Sequence, residues 1–250
     1  MVSGHGWNRA KIIQTAVNHL ALAMGSVNNK QWEDWSELMI KITNIKVFNV
    51  EGAVRGMRNP MNSWDKSDSV DGHIGDNDFA LMKRLFDAGT EHRKYLRQIF
   101  VTCDILAPLY WWKEFDTYKV GTTANSCSTM HKIHEKIFSL DDFSTEHLHR
   151  LAYSTLKNVV SDLNYYRELY LKSKSKDYWW DMIQLLPSSY NQLRTVTMNY
   201  EVLANIIRQR KNHKLDEWLE FCKIMLEENP LLHRLMGDVK IGNGGVLNDK

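Results

Sequence analysis

"LLPSSYNQLRTVTMNYEVLANIIRQRKNHKLDEWLEFCKIMLEENP", residues 185–230, decides how the chain is read. From Met198 onward its apolar residues recur at the spacing of a helix, which turns once in ~3.6 residues. Val202, Leu203, Ile206 and Ile207 form the apolar stripe. Asn199, four before Leu203, and Arg210, three after Ile207, extend that stripe, whereas Arg208 points to the opposite side. A guanidinium on an interior face needs a partner, because an unpaired buried charge is costly. Three readings stay open for Arg210. It forms a salt bridge to Glu201, Glu217 or another carboxylate, it frays to solvent at the helix end, or it holds its planar fork out to an anion such as phosphate.

Working outward, the 250 residues carry 43% hydrophobic and 25% charged side chains, the balance of an ordinary globular chain. A formal net charge of +2 argues against a polyanion-binding surface dominating the whole molecule and leaves room for a local basic patch. The three cysteines (Cys103, Cys127, Cys222) are widely spaced and include no CxxC pair, which fits a reducing compartment better than a disulfide framework. No apolar run approaches the ~18–20 residues of a membrane span, and "MVSGHGWNRAKIIQ" lacks the apolar core of a signal peptide. A cytoplasmic protein is expected.

Residues 9–43 read as two helices, "NIKVFNV" (44–50) as a short strand and "IFVTCDI" (99–105) as a second. "RNPMNSWDKSDSVDGHIGDND" (58–78) is a long polar loop, a kind that is often functional. "DFALMKRLFDAGTEHRKYLRQ" opens as an amphipathic helix with Gly89 as its stop, and Pro108 suits the first turn of another. Residues 145–175 form a long helix, "DYWWDMIQLLP" one closed by Pro187, and two more follow to Pro230. The expected fold class is α+β, mostly helical with a small mixed sheet of two or three strands. The expected organisation is an N-terminal helical extension (1–44), a single domain (45–235) and a loose tail (236–250).

"WWKEFDTYKVGTTANSCSTMH", Trp111–His131, carries polar groups straight after an aromatic helix face. Its hydroxyls, amide and backbone N–H groups suit a nucleotide, and equally a capping and turn segment. His131 and His134 stand three apart, but no carboxylate–His arrangement completes a metal signature, so no metal is expected. Cys127 has no histidine at a fixed spacing to activate it, and no P-loop or GxGxxG occurs. The basic run "RQRKNHK" (208–214) is short and reads as a solvated helix end rather than a nucleic-acid surface.

The C-terminal stretch resembles the flavin-dependent thymidylate synthases, the ThyX family. A Leu-Pro segment, an Asn-x-Arg element, a helix ending in arginine, an Ala-Gln-x-Glu element and a distal proline mark that family. Pro187, Asn199 and Arg210 fall at its spacings without a gap. "VEGAVRGMR" (50–58) resembles its first strand and helix, and "LMKRLFDAGTEHRKYLRQIFVTCDILAPLYWW" (81–112) its helix, Gly, Glu-His, strand and Ala-Pro elements, so the likeness spans roughly residues 45–235. The departures are specific. Thr117, Tyr118 and Lys119 stand for the Arg-His-Arg of the signature. Thr122, or with one insertion Thr123, Asn125 and Ser128, stands for its Ser, Asn and Ser. Glu201 replaces the arginine of Asn-x-Arg, and "KLDEW" only faintly matches Ala-Gln-x-Glu.

The resemblance implies a ThyX-like fold, a homotetramer and a flavoprotein using FAD. The implied reaction is modification of a pyrimidine deoxynucleotide at C5, most simply methylation of dUMP to dTMP with methylenetetrahydrofolate and NADPH. It places Asn199, His92 and Lys119 toward the flavin, and Arg210, Glu114, Asn125 and Ser128 toward the nucleotide. No protein nucleophile is implied, since the flavin carries the hydride chemistry. The alternative is a non-catalytic relative that keeps the fold as a nucleotide-binding or assembly module, a reading favoured by the missing arginines.

Overall fold

The computed structural model describes residues 40–242. The helices expected before residue 40 and the tail beyond 242 lie outside the described residues. Strands β1 (Lys41–Phe48), β2 (Phe100–Pro108), β3 (Thr122–Ser126) and β4 (Asn191–Asn199) form one sheet in the order β1-β2-β4-β3. Every neighbouring pair is antiparallel, which corrects the expected mixed sheet. A run of β-branched residues reveals a strand but not its direction, which its partner decides. Residues 41–43, read from the sequence as the end of a helix, belong to β1, where Ile42 pairs with Ile105.

The central strands show the period-2 alternation of a half-covered sheet. Val101, Cys103 and Ile105 of β2 and Val196 and Met198 of β4 are buried on the inner face. The outer face carries polar rows, with Thr102 opposite Thr197 opposite Thr123, and Asp104 opposite Thr195 opposite Asn125. Asp104 accepts hydrogen bonds there from Thr195 Oγ1 (2.5 Å) and Asn44 Nδ2 (2.7 Å). The register of β1 against β2 shifts between Thr43 and Lys46, where Asn44 takes a positive φ of 54°.

Helices α1 (Val50–Arg58), α2 (Asp76–Asp87), α3 (Leu109–Phe115), α6 (Tyr200–Arg210), α7 (Asp216–Glu227) and α8 (Pro230–Met236) cover the inner face and share one core with it. Helices α4 (Arg150–Ser173) and α5 (Lys176–Leu185) pack on each other around a second apolar cluster that includes Phe138, Phe143, Leu163 and Met182. Val239 and Ile241 lie against the main core, and Gly242 N–H bonds the Lys211 carbonyl at 2.8 Å, so the chain after α8 is held rather than loose as far as 242. No described helix is long and apolar enough to cross a membrane.

One boundary matters for the site. The helix read from Met198 begins at Tyr200, because Met198 pairs with Val101 and Thr122 in the sheet. Asn199 is its N-cap, its side-chain oxygen accepting from the Val202 N–H at 2.9 Å. A capping side chain turns back on its own helix end and is not part of the helical stripe.

The polar loop after α1 is ordered by Asp78, a fully buried carboxylate on α2. It accepts hydrogen bonds from Arg58 Nε (2.5 Å), Ser67 Oγ (2.7 Å), Ser69 Oγ (2.6 Å) and the N–H groups of Asp68 and Ser69. Asp68 reciprocates, accepting from the N–H groups of Asn77 and Asp78 in the first turn of α2. Burial alone pushes the Asp78 carboxyl up, but the bonds from Ser69, Ser67, Arg58 and the Asp68 N–H hold it down to about 2. A carboxyl depressed by folding stabilises the fold above its unfolded pKa of ~3.9 and stops doing so as pH falls through the folded value. The contribution, about 2–3 kcal/mol, is therefore complete above roughly pH 5 and is lost as pH falls from there through the folded value. Asp78→Ala leaves Arg58 buried without its counter-charge and lowers unfolding stability by about 3–5 kcal/mol. Urea titrations of both proteins at pH 7 and pH 3 measure these two effects.

Candidate functional site

Arg210 turns inward at the end of α6, and it meets a carboxylate. Its Nη1 donates to Glu114 Oε2 at 2.6 Å and its Nε to the Tyr118 hydroxyl oxygen at 2.8 Å. The partner is thus neither Glu201 nor Glu217. Glu201, in the first turn of α6, bridges Arg93 (3.3 Å) and Arg97, and buried Glu217 accepts from the Tyr110 hydroxyl. Burial, reinforced by that carboxylate, raises the Tyr110 phenol above its ordinary range.

Glu114 Oε2 also accepts from Trp218 Nε1 at 3.2 Å and faces His213 Nε2 at 3.1 Å. The His213 Nδ1 accepts the Leu215 N–H, so the proton of the neutral ring sits on Nε2, the nitrogen nearer Glu114. Burial lowers the His213 pKa and Glu114 opposes that shift. The Arg210 guanidinium lies 4.8 Å from the Trp218 ring centroid. Trp218 stacks in turn on Phe115 and sits 4.5 Å from Trp111, so the ion pair rests on the aromatic floor of the core. A single carboxylate oxygen gathers three donors from the end of α6, the turn after it and the start of α7. The cluster is charge-compensated from within, and an incoming anion competes with Glu114 for Arg210.

The other residues singled out from the sequence lie on several different elements. Asn199 N–H bonds the Gly121 carbonyl at 3.2 Å, and its Nδ2 makes no hydrogen bond. A Cβ on Gly121 would lie 2.5 Å from that Nδ2, at a φ of +80° that favours glycine. Lys119, two residues earlier, is exposed and has no partner. Asn125 is on the exposed edge strand β3, which the sequence presented as a loop because neither of its faces is apolar. Ser128 lies beyond the strand, where its Oγ accepts the His131 N–H at 3.0 Å. His92 is exposed in the turn beside Arg93.

Sequence reasoning missed Tyr118, His213 and Trp218 as members of the Arg210 cluster. It also missed the pair Arg194–Asp116 (2.8 Å), in which Arg194 lies over Trp112. The basic run 208–214 does not form one face, since Arg208 lies over the Phe86 ring (4.7 Å) while Arg210 turns in. Among the described residues no three His, Cys, Asp or Glu side chains converge as metal ligands.

No protein-family model matches the sequence, and no curated protein matches it. Solved structures do. A crystal structure of thymidylate synthase X (ThyX) from Helicobacter pylori with FAD and dUMP is similar at a TM-score of 0.61 and 15% identity, covering 81% of this chain and 100% of that one. A second structure of the Helicobacter pylori enzyme, complexed with FAD and dUMP, gives a TM-score of 0.61 at 16% identity over 78% and 97% of the two chains. The fold is ThyX-like.

The Arg210–Glu114 contact has a measurable strength. A double-mutant cycle of Arg210→Met and Glu114→Gln, read by chemical denaturation, returns a coupling of about 1–2 kcal/mol, solvent at the half-open Glu114 keeping it below that of a sealed pair. Strict additivity of the two substitutions would show that the pair contributes nothing.

Proposed function

We propose that this chain is a flavin-dependent enzyme acting at C5 of a pyrimidine deoxynucleotide, in its simplest form the methylation of dUMP with methylenetetrahydrofolate and NADPH. The observation that carries the reading is the correspondence of fold along essentially the whole of a ThyX structure containing FAD and dUMP. The local chemistry fits a flavin. Asn199 Nδ2 is an unengaged donor beside a glycine where a side chain would block approach, and Lys119 is a cation without a partner in the same segment. Asn199 would donate to an acceptor edge of the bound group, and Lys119 would meet its phosphates. FAD, when bound, supplies the hydride chemistry. The chain's own part is to hold, orient and exclude water.

Arg210 reaches a nucleotide phosphate only by exchanging Glu114 for it. Glu114→Gln keeps the shape and removes the competing charge, so it is expected to tighten dUMP binding about tenfold. Weaker binding in this variant would instead assign Glu114 a direct contact with the base. Phe48 and Phe100, paired across β1 and β2, and Leu193 are exposed on the outer face of the sheet. Their exposure supports assembly into an oligomer, a tetramer by the resemblance, that covers them.

The Arg210–Glu114 pair also favours a second reading, a nucleotide-binding or assembly module without catalysis. Purified protein separates the two. The enzyme is yellow or takes up added FAD, and it oxidises NADPH in the presence of dUMP and methylenetetrahydrofolate. Protein that stays colourless after incubation with FAD, oxidises no NADPH and yet sediments as an oligomer overturns the enzymatic reading.

A further inference from the structure

A cleft of roughly 350 Å³ opens between α1 and the loop that Asp78 pins, away from the Arg210 cluster. Its size is at the lower end of the range for small-molecule sites. Val54, Trp64, Val70 and Ile74 give it apolar walls, and Trp64 and Val70 are largely exposed. The charged residues that line it are of both signs. Arg58 is only 4% exposed, its Nε bonded to Asp78 and its Nη1 to the Ser63 carbonyl at 3.1 Å, while its Nη2 has no partner. Arg55, one turn earlier on α1, has no partner either.

Two carboxylates, Glu51 and Asp71, are the acidic residues of the lining, which also includes His73, Ser67 and Ser69. Glu51 and Arg55 stand at i and i+4 on α1, the spacing at which opposite charges pair, yet they make no ion pair, and Asp71 is equally unengaged. The cleft therefore offers donor and acceptor charges that its own residues do not consume. Its loop wall is preformed, because the hydrogen bonds onto Asp78 fix Ser67, Asp68 and Ser69, and the Val70–His73 bridge closes the Asp71–Gly72 turn. A ligand finds this wall in place without paying to order it.

We infer that this cleft binds a free zwitterionic α-amino acid with an apolar or aromatic side chain. The carboxylate meets Arg58 Nη2, a single free donor nitrogen, and Arg55, whose planar fork matches its two oxygens. The ammonium meets Asp71 and Glu51, and the side chain lies against Trp64, Val54 and Val70. A simple anion suits the cleft poorly, since two carboxylates repel it. A simple cation suits it poorly for the opposite reason. Both signs on one small molecule satisfy all the groups together, and this assignment does not depend on flavin or nucleotide binding elsewhere in the chain.

The test is isothermal titration of the full chain with L-phenylalanine, 3-phenylpropionate and phenethylamine, which share the ring and differ in charge. Phenylalanine is expected to bind at least about tenfold more tightly than either half-molecule. Arg55→Ala and Asp71→Asn, both at exposed residues without partners, are expected to keep the wild-type melting temperature and to weaken phenylalanine about tenfold each. Equal binding of phenylalanine and either half-molecule overturns the inference. So does the absence of heat with all three, or unchanged phenylalanine affinity in both variants.

Discussion

The ion pair between Arg210 and Glu114 is the constraint on which one end of this molecule depends. It joins the end of α6 to the short helix α3, nearly a hundred residues away in sequence, and draws His213 and Trp218 onto the same carboxylate. Beneath it lie Trp111, Phe115, Trp218 and Phe221, aromatic rings packed edge and face in the main core. A guanidinium this enclosed persists only because a carboxylate, a hydroxyl and two ring faces receive it. The sequence resemblance, taken by itself, would give this arginine a phosphate contact. Any anion directed at Arg210 would first have to displace the carboxylate that stabilises the fold here.

Periodicity read part of this correctly. Leu203, Ile206 and Ile207 are buried and Arg208 is exposed, so the inward turn of Arg210 follows from helical spacing alone. Its partner was not legible, because nothing local in the sequence links position 210 to position 114. Asn199 was misread for a definite reason. Val196 and Met198 alternate as strand residues and Val202 and Leu203 then recur as helix residues, so the two periods overlap where the element changes. The strand β4, central to the sheet, vanished into that overlap. The edge strand β3 escaped for another reason, since Thr123, Ala124, Asn125 and Ser126 are all exposed and carry no apolar alternation.

The polar loop after α1 teaches a related lesson. Its composition of Asn, Asp, Ser and Gly reads as irregular chain, and irregular it is, with two short 3-10 turns. Yet it is tied down by one carboxylate from the following helix. Asp78 and Asp68 exchange hydrogen bonds across the segment, so each supplies acceptors that the other's backbone requires. Long loops in compact domains commonly carry function. This one forms half of a cleft whose opposite wall is helix α1, and neither half announces the cleft by itself.

The two margins of the sheet bear on how copies of this protein meet. An open strand margin with unsatisfied amides invites another strand to dock, the route by which folded proteins polymerise into fibrils. Among the described residues the margins are β1, with lysines at 41 and 46 and a positive φ at Asn44 where its register slips, and β3, five residues long and polar apart from Ala124. Both margins are poor templates for a neighbouring strand. The exposed apolar side chains of the sheet, Phe48, Phe100 and Leu193, lie instead on its broad outer face, where a symmetric contact would close on itself rather than propagate.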